Sequence, residues 1–398
     1  MGSGLREGWE VRKLGEVCEV QRGSSPRPIR KYITDDENGV NWIKIGDTKN
    51  VDKYIYTTRQ KITKEGSEKS RYVKHGDFIL SNSMSFGKPY IMKTEGYIHD
   101  GWFVLRLHNF INPEYFFQLL SSPLVNEQFY NLASGSVVKN ISGDLVKKVI
   151  LPVPPLQEQE KIVALLDEAF LAIEKAKTNA ELNLQNAKEL FESYLQGVFE
   201  NHGEGWEEKS LGEIAVVKSG GTPLRSKKEY WDGNIAWYSS GELNELFTIK
   251  PHRYINNLAI KNSTAKIFPK GSLLIGMYDT AALKMSILDR DATFNQAIAG
   301  VQPNDNIDLT FILNSINSIK PEILNLRRGV RQKNLNLTKI KNIPIFLPPI
   351  QEQKTIVKRL NTLQEQTKKL ESIYTQKLSD LDELKKSILQ KAFNGELL

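Results

Sequence analysis

Pro154-Pro155-Leu156-Gln157-Glu158-Gln159 returns 194 residues later as Pro348-Pro349-Ile350-Gln351-Glu352-Gln353. The repeated motif marks where two long elements begin. Proline cannot continue a preceding helix or central strand, but it is tolerated where a helix starts. After each Pro-Pro, apolar residues recur at steps of four and three. The first series is Ile162, Leu166, Ala169, Ile173, Ala176, Ala180, Leu184, Ala187, Leu190, Tyr194 and Val198. The second is Ile356, Leu360, Leu363, Thr367, Leu370, Tyr374, Leu378, Leu381, Leu384, Ile388 and Lys391, with Thr367 and Lys391 as polar members of the same spacing. That spacing predicts two long helices with a coiled-coil seam. At 1.5 Å per residue each is about 65 Å long, too long to be buried by one small domain.

The repeat extends outward from this pair. Gly8-Trp9-Glu10 recurs as Gly205-Trp206-Glu207, and residues 8–26 and 205–223 share Leu14/Leu211, Gly15/Gly212, Glu16/Glu213, Gly23/Gly220 and Pro26/Pro223. Gly135/Gly329, Lys139/Lys333 and Asn140/Asn334 match further on. The chain is therefore one unit used twice, each copy a globular block followed by a long helix. The division is 1–155, 156–203, 204–349 and 350–398. Short apolar runs predict strands at Gly15–Val20, Trp42–Ile45, Asp77–Leu80 and Trp102–Leu107, with counterparts at Ile214–Val217, Ile235–Tyr238, Ser272–Ile275 and Ala297–Val301. Helices are expected at Pro113–Leu120 and Leu309–Ile319. The fold class is α+β: two similar mixed α/β domains separated by two long helices in an antiparallel coiled coil, with pseudo-twofold symmetry. A helix pairing with another chain is the alternative left open.

The 398 residues carry a net charge of +7, with 54 Lys+Arg against 47 Asp+Glu. This charge follows the repeat. Residues 1–155 hold 22 cations and 17 anions, and residues 204–349 hold 19 and 14, so each block is +5. The helical segments hold 4 and 9, then 9 and 7. A basic excess that sits mainly in two related blocks points to a polyanion. Antiparallel helices would place the blocks at opposite ends of a rod and invert one against the other. Duplex DNA has the same twofold symmetry, so each block could read one half-site, with the rod setting their separation.

Several classes are excluded. No run of 18 apolar residues spans a membrane. The single cysteine, Cys18, rules out a disulfide framework and a Cys-based zinc site. A reducing cytoplasm fits. The five histidines, His75, His99, His108, His202 and His252, lack metal-ligand spacing. There is no Asn/Asp-Pro-Pro-Tyr/Phe motif for adenine methylation, no dinucleotide or ATP-binding glycine loop and no nucleophile elbow. No catalytic residue, metal or cofactor is assigned.

At this point the chain resembles the specificity subunit of type I restriction-modification systems along nearly its whole length. The residues that carry the resemblance are Gly220-Gly221-Thr222-Pro223, Tyr230-Trp231, Ile235-Ala236-Trp237-Tyr238-Ser239-Ser240-Gly241-Glu242 and the paired Pro-Pro segments. Gly76-Asp77-Phe78-Ile79-Leu80-Ser81 leading to Gly87-Lys88 adds to it. The copies depart from the pattern at Ser24-Ser25-Pro26 and at Ala281-Ala282-Leu283-Lys284. The resemblance implies two target-recognition domains in a non-catalytic subunit. Such a subunit directs methyltransferase subunits, two in number, and restriction subunits to a bipartite target in double-stranded DNA.

DNA contact needs Lys or Arg for phosphates and Arg, Asn, Gln or Ser for base edges. Candidates in block one are Ser24, Arg27, Arg30 and Lys31, then Asn82, Ser83 and Lys88, then Lys139. In block two they are Thr222, Arg225 and Lys227, then Tyr278 and Lys284, then Arg328, Arg331 and Lys333. Lys139/Lys333 could equally tie each block to its helix. Trp9 and Trp206 are expected to pack each block's start against the helices. Gln157, Glu158, Gln159, Gln351, Glu352 and Gln353 either cap the helices or dock the methyltransferase subunits. A pseudo-symmetric scaffold for acidic proteins is the competing function.

Overall fold

The computed structural model describes residues 6–82, 87–133, 141–325 and 335–397. The chain forms two compact units, Met1–Glu181 with Gln376–Leu398, and Leu182–Thr375. The division cuts through both long helices, Leu156–Glu200 and Ile350–Phe393, rather than falling at their ends. Each unit thus consists of one block, the start of the helix that follows it and the end of the other helix.

In the first unit the chain makes two five-stranded sheets. One runs in the order Cys18–Arg22, Trp102–Leu107, Phe78–Ser81, Pro89–Met92, Tyr54–Ile55. The other runs Ile33–Thr34, Gln60–Ile62, Val40–Ile43, Gly96–Ile98, Arg71–Val73. In the first sheet, Phe78–Ser81, Pro89–Met92 and the first four residues of Trp102–Leu107 are buried on both faces and read as apolar runs, whereas Cys18–Arg22 at the sheet edge alternates buried and exposed residues. Strand alternation divides its side chains between two cores. Phe78, Leu80, Ile91, Phe103 and Leu105 face the helices. Ile79, Tyr90, Met92, Trp102 and Val104 pack with Ile43, Val73 and Ile98 of the second sheet. A two-stranded clasp, Glu10–Lys13 on Ile150–Val153, closes the block just before Pro154.

The second unit repeats this plan with fewer strands. A four-stranded sheet runs Val217–Ser219, Ile298–Val301, Leu273–Gly276, Met285–Ile287, and a three-stranded sheet runs Arg253–Ile255, Ile235–Tyr238, Ala292–Phe294. Leu273 and Ile275 face the helical core, whereas Leu274 faces Phe294 and Ile298. The clasp is Glu207–Ser210 on Pro344–Leu347.

The structure moves several expected strands. Gly15–Val20 is a helical turn, Leu14–Val17, followed by Cys18–Arg22, and the counterpart is a turn at Leu211–Ile214 followed by Val217–Ser219. Glu16 causes the first turn: its carboxylate accepts the Lys13 N–H at 2.7 Å, as Glu213 accepts that of Ser210 at 2.7 Å. The shared glycine is steric, because a Cβ on Gly15 or Gly212 would stand 3.0 Å from the Cβ of Lys147 or Lys341. The other strands lie within two residues of their expected ends, and the helices are Pro113–Leu120 and Leu309–Ser318.

The long helices are 45 and 44 residues. In the first unit they run antiparallel: Lys177 pairs with Asp382, and the Lys385 ammonium lies over the Phe170 ring at 4.8 Å. Ile162, Leu166, Ile173, Ala180 and Ala187 are buried as the seam requires. Toward the helix ends the stripe shifts. Leu195 and Phe199 are buried while Leu190 and Tyr194 are exposed, and Leu389, Ala392 and Phe393 are buried while Leu384 and Lys391 are exposed. At those ends a helix packs against a globular block, so the buried face is the one turned to that block. Phe393 packs edge-on to Tyr115 at 5.5 Å, and Phe199 meets Phe311 at 5.2 Å. Among the described residues no helix is long and apolar enough to cross a membrane.

Candidate nucleic-acid interface

In both blocks a loop leaves the first strand of the helix-facing sheet at a glycine and presses onto the end of a strand in the other sheet. Gly23 N–H donates to Trp102 O at 2.8 Å, and Gly220 N–H donates to Ile298 O at 3.1 Å. The approach is too close for a side chain. A Cβ on Gly23 would fall 2.0 Å from His99 O, and one on Gly220 would fall 2.2 Å from Phe294 O. The strand it presses on pairs parallel with the tryptophan strand in each copy, Ile98 beside Ile43 and Phe294 beside Tyr238. His99-Asp100 is therefore the structural counterpart of Asn295-Gln296.

In block one the loop lines a cleft of about 690 Å³ with Ser25, Arg27, Ile29, Trp42, Lys44, His99 and Asp100 around it. Asp100 is firmly held. Ser25 Oγ donates to its Oδ1 at 2.6 Å, Arg27 Nη2 stands 3.4 Å from Oδ2, and Asn82 Nδ2 donates to its carbonyl at 2.8 Å. The Ser25 hydrogen bond holds the Asp100 carboxyl below the usual range, against some burial. Burial lowers the His99 pKa, with Asp100 opposing. Its Nδ1 accepts the Gly101 N–H at 2.8 Å.

Block two carries a cleft of about 580 Å³ between Arg225, Lys228, Trp231, His252, Arg253 and Tyr254. The Arg253 guanidinium lies 5.7 Å over the Trp231 ring, and Trp231 packs edge-on to Trp237 at 5.0 Å. Trp237 Nε1 donates to Gly221 O at 3.0 Å and fixes the glycine loop. Burial works against charge on Glu242, but N–H donors from His252 and Ser239 outweigh it and hold its carboxyl below the usual range.

The expected contact residues separate on this framework. Arg27 and Arg225 line the clefts, and Arg30, Lys31 and Lys227 stand exposed beside them. Ser24 is half-buried, and its N–H donates to Ile98 O. Thr222 is half-buried and its hydroxyl donates to Gln296 Oε1. Lys88 is exposed with its ammonium on Val51 O at 3.1 Å, Lys284 bonds Asn244 at 2.9 Å, and Tyr278 packs against the helical core. None of these three lines either cleft. Asn82 is corrected: at 2% exposure it holds the Asp100 backbone and cannot meet a base edge. Ser83, Lys139, Arg328, Arg331 and Lys333 lie outside the described residues. Sequence reading missed Lys44, His99, Asp100, Arg253 and Gln296. Superposing the two parallel strand pairs would have found His99-Asp100 opposite Asn295-Gln296, but residue identity does not extend that far.

The helix starts also divide. Trp9 is buried and its Nε1 donates to Glu158 Oε2 at 2.8 Å, while Trp206 Nε1 donates to Glu352 Oε1 at 3.0 Å. Gln159 and Gln353 are corrected as docking residues, since both are 0% exposed. Gln159 accepts the Asn112 N–H at 2.7 Å and donates to Phe110 O and Pro154 O. Gln353 accepts the Asp308 N–H at 2.8 Å and donates to Asn306 O and Pro348 O. Asn112 and Asp308 are N-caps of the block helices, so each glutamine ties a long helix to a block. Gln157 and Gln351 remain exposed. Among the described residues no group of three His, Cys, Asp or Glu side chains could hold a metal ion.

A sequence profile described as "Type I restriction modification DNA specificity domain" matches residues 6–184 and 203–379, both halves of the repeat. The chain belongs to this family, whose function is DNA specificity in type I restriction-modification. It is 25% identical over 365 residues to the type I restriction enzyme MjaIX specificity subunit of Methanocaldococcus jannaschii, covering 86% of this chain and 83% of that one. The crystal structure of the HsdS subunit from Thermoanaerobacter tengcongensis shares the fold with a TM-score of 0.72, at 21% identity over 99% of this chain and 98% of that one. A further structure, described as the basis of complex assembly and conformational transition of the type I R-M system, has a TM-score of 0.75 at 21% identity, covering 99% of both chains. The acidic-protein scaffold gains no support from these similarities.

Proposed function

We propose that the chain is the DNA-reading subunit of a cytoplasmic type I complex, with each block reading one half of a two-part target. The divisions 1–155 and 204–349 are the reading blocks, and 156–203 and 350–398 are the ruler that sets their spacing. Two methyltransferase subunits dock on the exposed surface near Gln157, Glu158, Gln351 and Glu352. Restriction subunits join through them, and the assembled complex methylates adenine and cleaves DNA. One observation carries the reading: the same glycine loop occurs in both blocks, each time beside a cleft with cations at its lip, Arg27 and Lys44 in one and Arg225, Lys228 and Arg253 in the other. Lys139, Arg328, Arg331 and Lys333 are assigned to phosphate contact.

The test is duplex binding by the chain with its methyltransferase partners across a salt series. Affinity falls with log salt at a slope of about −0.9 per phosphate neutralised. Arg225→Ala reduces affinity for all sequences and makes the slope shallower by roughly one phosphate. No DNA binding at low salt, with partners present, contradicts the proposal.

A further inference from the structure

We propose that Asp100 and Gln296 are matched base-reading positions, one in each block, and that their different chemistry gives the two half-sites different bases. The inference rests on the DNA-reading function above. Three observations carry it.

The first is equivalence. Both residues follow the strand that pairs parallel with the tryptophan strand, and both face the loop that turns at Gly23 or Gly220. Each accepts a hydroxyl hydrogen bond from that loop, Asp100 from Ser25 and Gln296 from Thr222. The second is presentation. The Asp100 side chain is 44% exposed at the cleft, and Gln296 is exposed. The backbone of Asp100 is clamped by Asn82 and by Arg22, whose Nε donates to its carbonyl at 3.3 Å. Such support fixes where the carboxylate points, as base reading requires.

The third is chemistry. An ionised carboxylate offers only acceptors, so Asp100 suits an amino donor on a base edge, cytosine N4 above all. With Oε1 held by Thr222, Gln296 keeps an Nε2 donor and a second lone pair on Oε1, which suits the paired donor and acceptor of adenine. A carboxylate at a surface meant for phosphates weakens general DNA binding by repulsion. Its place there, with Arg27 beside it, fits selection of a base rather than attraction to the backbone. The hydroxyl contact to the loop is shared, and the group that accepts it, a carboxylate in one block and an amide in the other, does the selecting.

The experiment selects bound duplexes from a randomised library, using the full chain with its methyltransferase subunits. Wild type, Asp100→Asn and Gln296→Glu are compared, with thermal melting to confirm that each is folded. The expected result is a two-part motif for wild type. Asp100→Asn changes the preferred base, or loosens it by about ten- to a hundredfold, at one position of one half-site only. Gln296→Glu does the same in the other half-site. Should Asp100→Asn not fold, Gln296→Glu tests the inference by itself. Folded variants that select the wild-type motif with unchanged strength overturn the inference and leave the function intact, the Ser25–Asp100 and Thr222–Gln296 contacts then being only loop latches. If wild type itself selects no motif, the DNA-reading function fails and takes the inference with it.

Discussion

At the scale of the residue, the three positions of the Gln-Glu-Gln repeat do different work. The last glutamine is wholly buried and makes three hydrogen bonds between a long helix and the block before it. Gln159→Leu leaves the buried Pro154 carbonyl and the part-buried Asn112 N–H and Phe110 carbonyl without their partner, and costs about 2 kcal/mol of stability. Gln157→Ala at the exposed first position costs within about 0.5 kcal/mol. Denaturant unfolding of the two variants checks the contrast, and equal effects contradict it. The middle residue takes the indole N–H of Trp9 or Trp206, so the two repeated motifs, far apart in sequence, meet at one hydrogen bond per unit. Neither role was legible beforehand, because a glutamine at a helix start reads the same whether it faces water or a buried N-cap. Identity between the copies marked these residues as shared, without saying what they share. The base-facing side was less legible still. Asp100 and Gln296 are unlike residues, and only their places beside equivalent strands reveal them as counterparts.

At the scale of the element, each long helix finishes in the core of the block it does not follow. Leu389, Ala392 and Phe393 belong to the core of the first block, with Leu14, Tyr115 and Ile162. Leu195 and Phe199 belong to that of the second, with Leu211, Phe311 and Leu360. Phe393→Ala therefore destabilises the first unit and Phe199→Ala the second, each by about 3–5 kcal/mol. Amide exchange resolved by peptide shows the crosswise pattern: protection falls in residues 8–153 for Phe393→Ala and in 207–347 for Phe199→Ala. Loss confined to the block that precedes each mutated helix contradicts it. The length and start of both helices were legible from their 4-and-3 spacing and from Pro-Pro. The seam was legible only through Ala187, since a periodicity cannot tell a helix partner from a sheet partner. Strands of two or three residues, such as Tyr54–Ile55, are too short for alternation to show.

At the scale of the whole molecule, the +7 charge is the sum of +5 on each of the two globular blocks and −3 on the two helical segments together, and each block builds the same glycine loop against the same parallel strand pair. Burial of Cys18 pushes its thiol up to about 12, so the only cysteine is a core residue and not a reactive one. The duplicated architecture is what a target in two parts calls for, with the half-sites read separately. The measurement that tests this most directly is base-resolution mapping of modified adenines in cells carrying this chain with its methyltransferase subunits. Two blocks that read separately give one motif of two specified halves separated by a spacer of constant length and free sequence. A continuous motif, or modification without sequence preference, would contradict it.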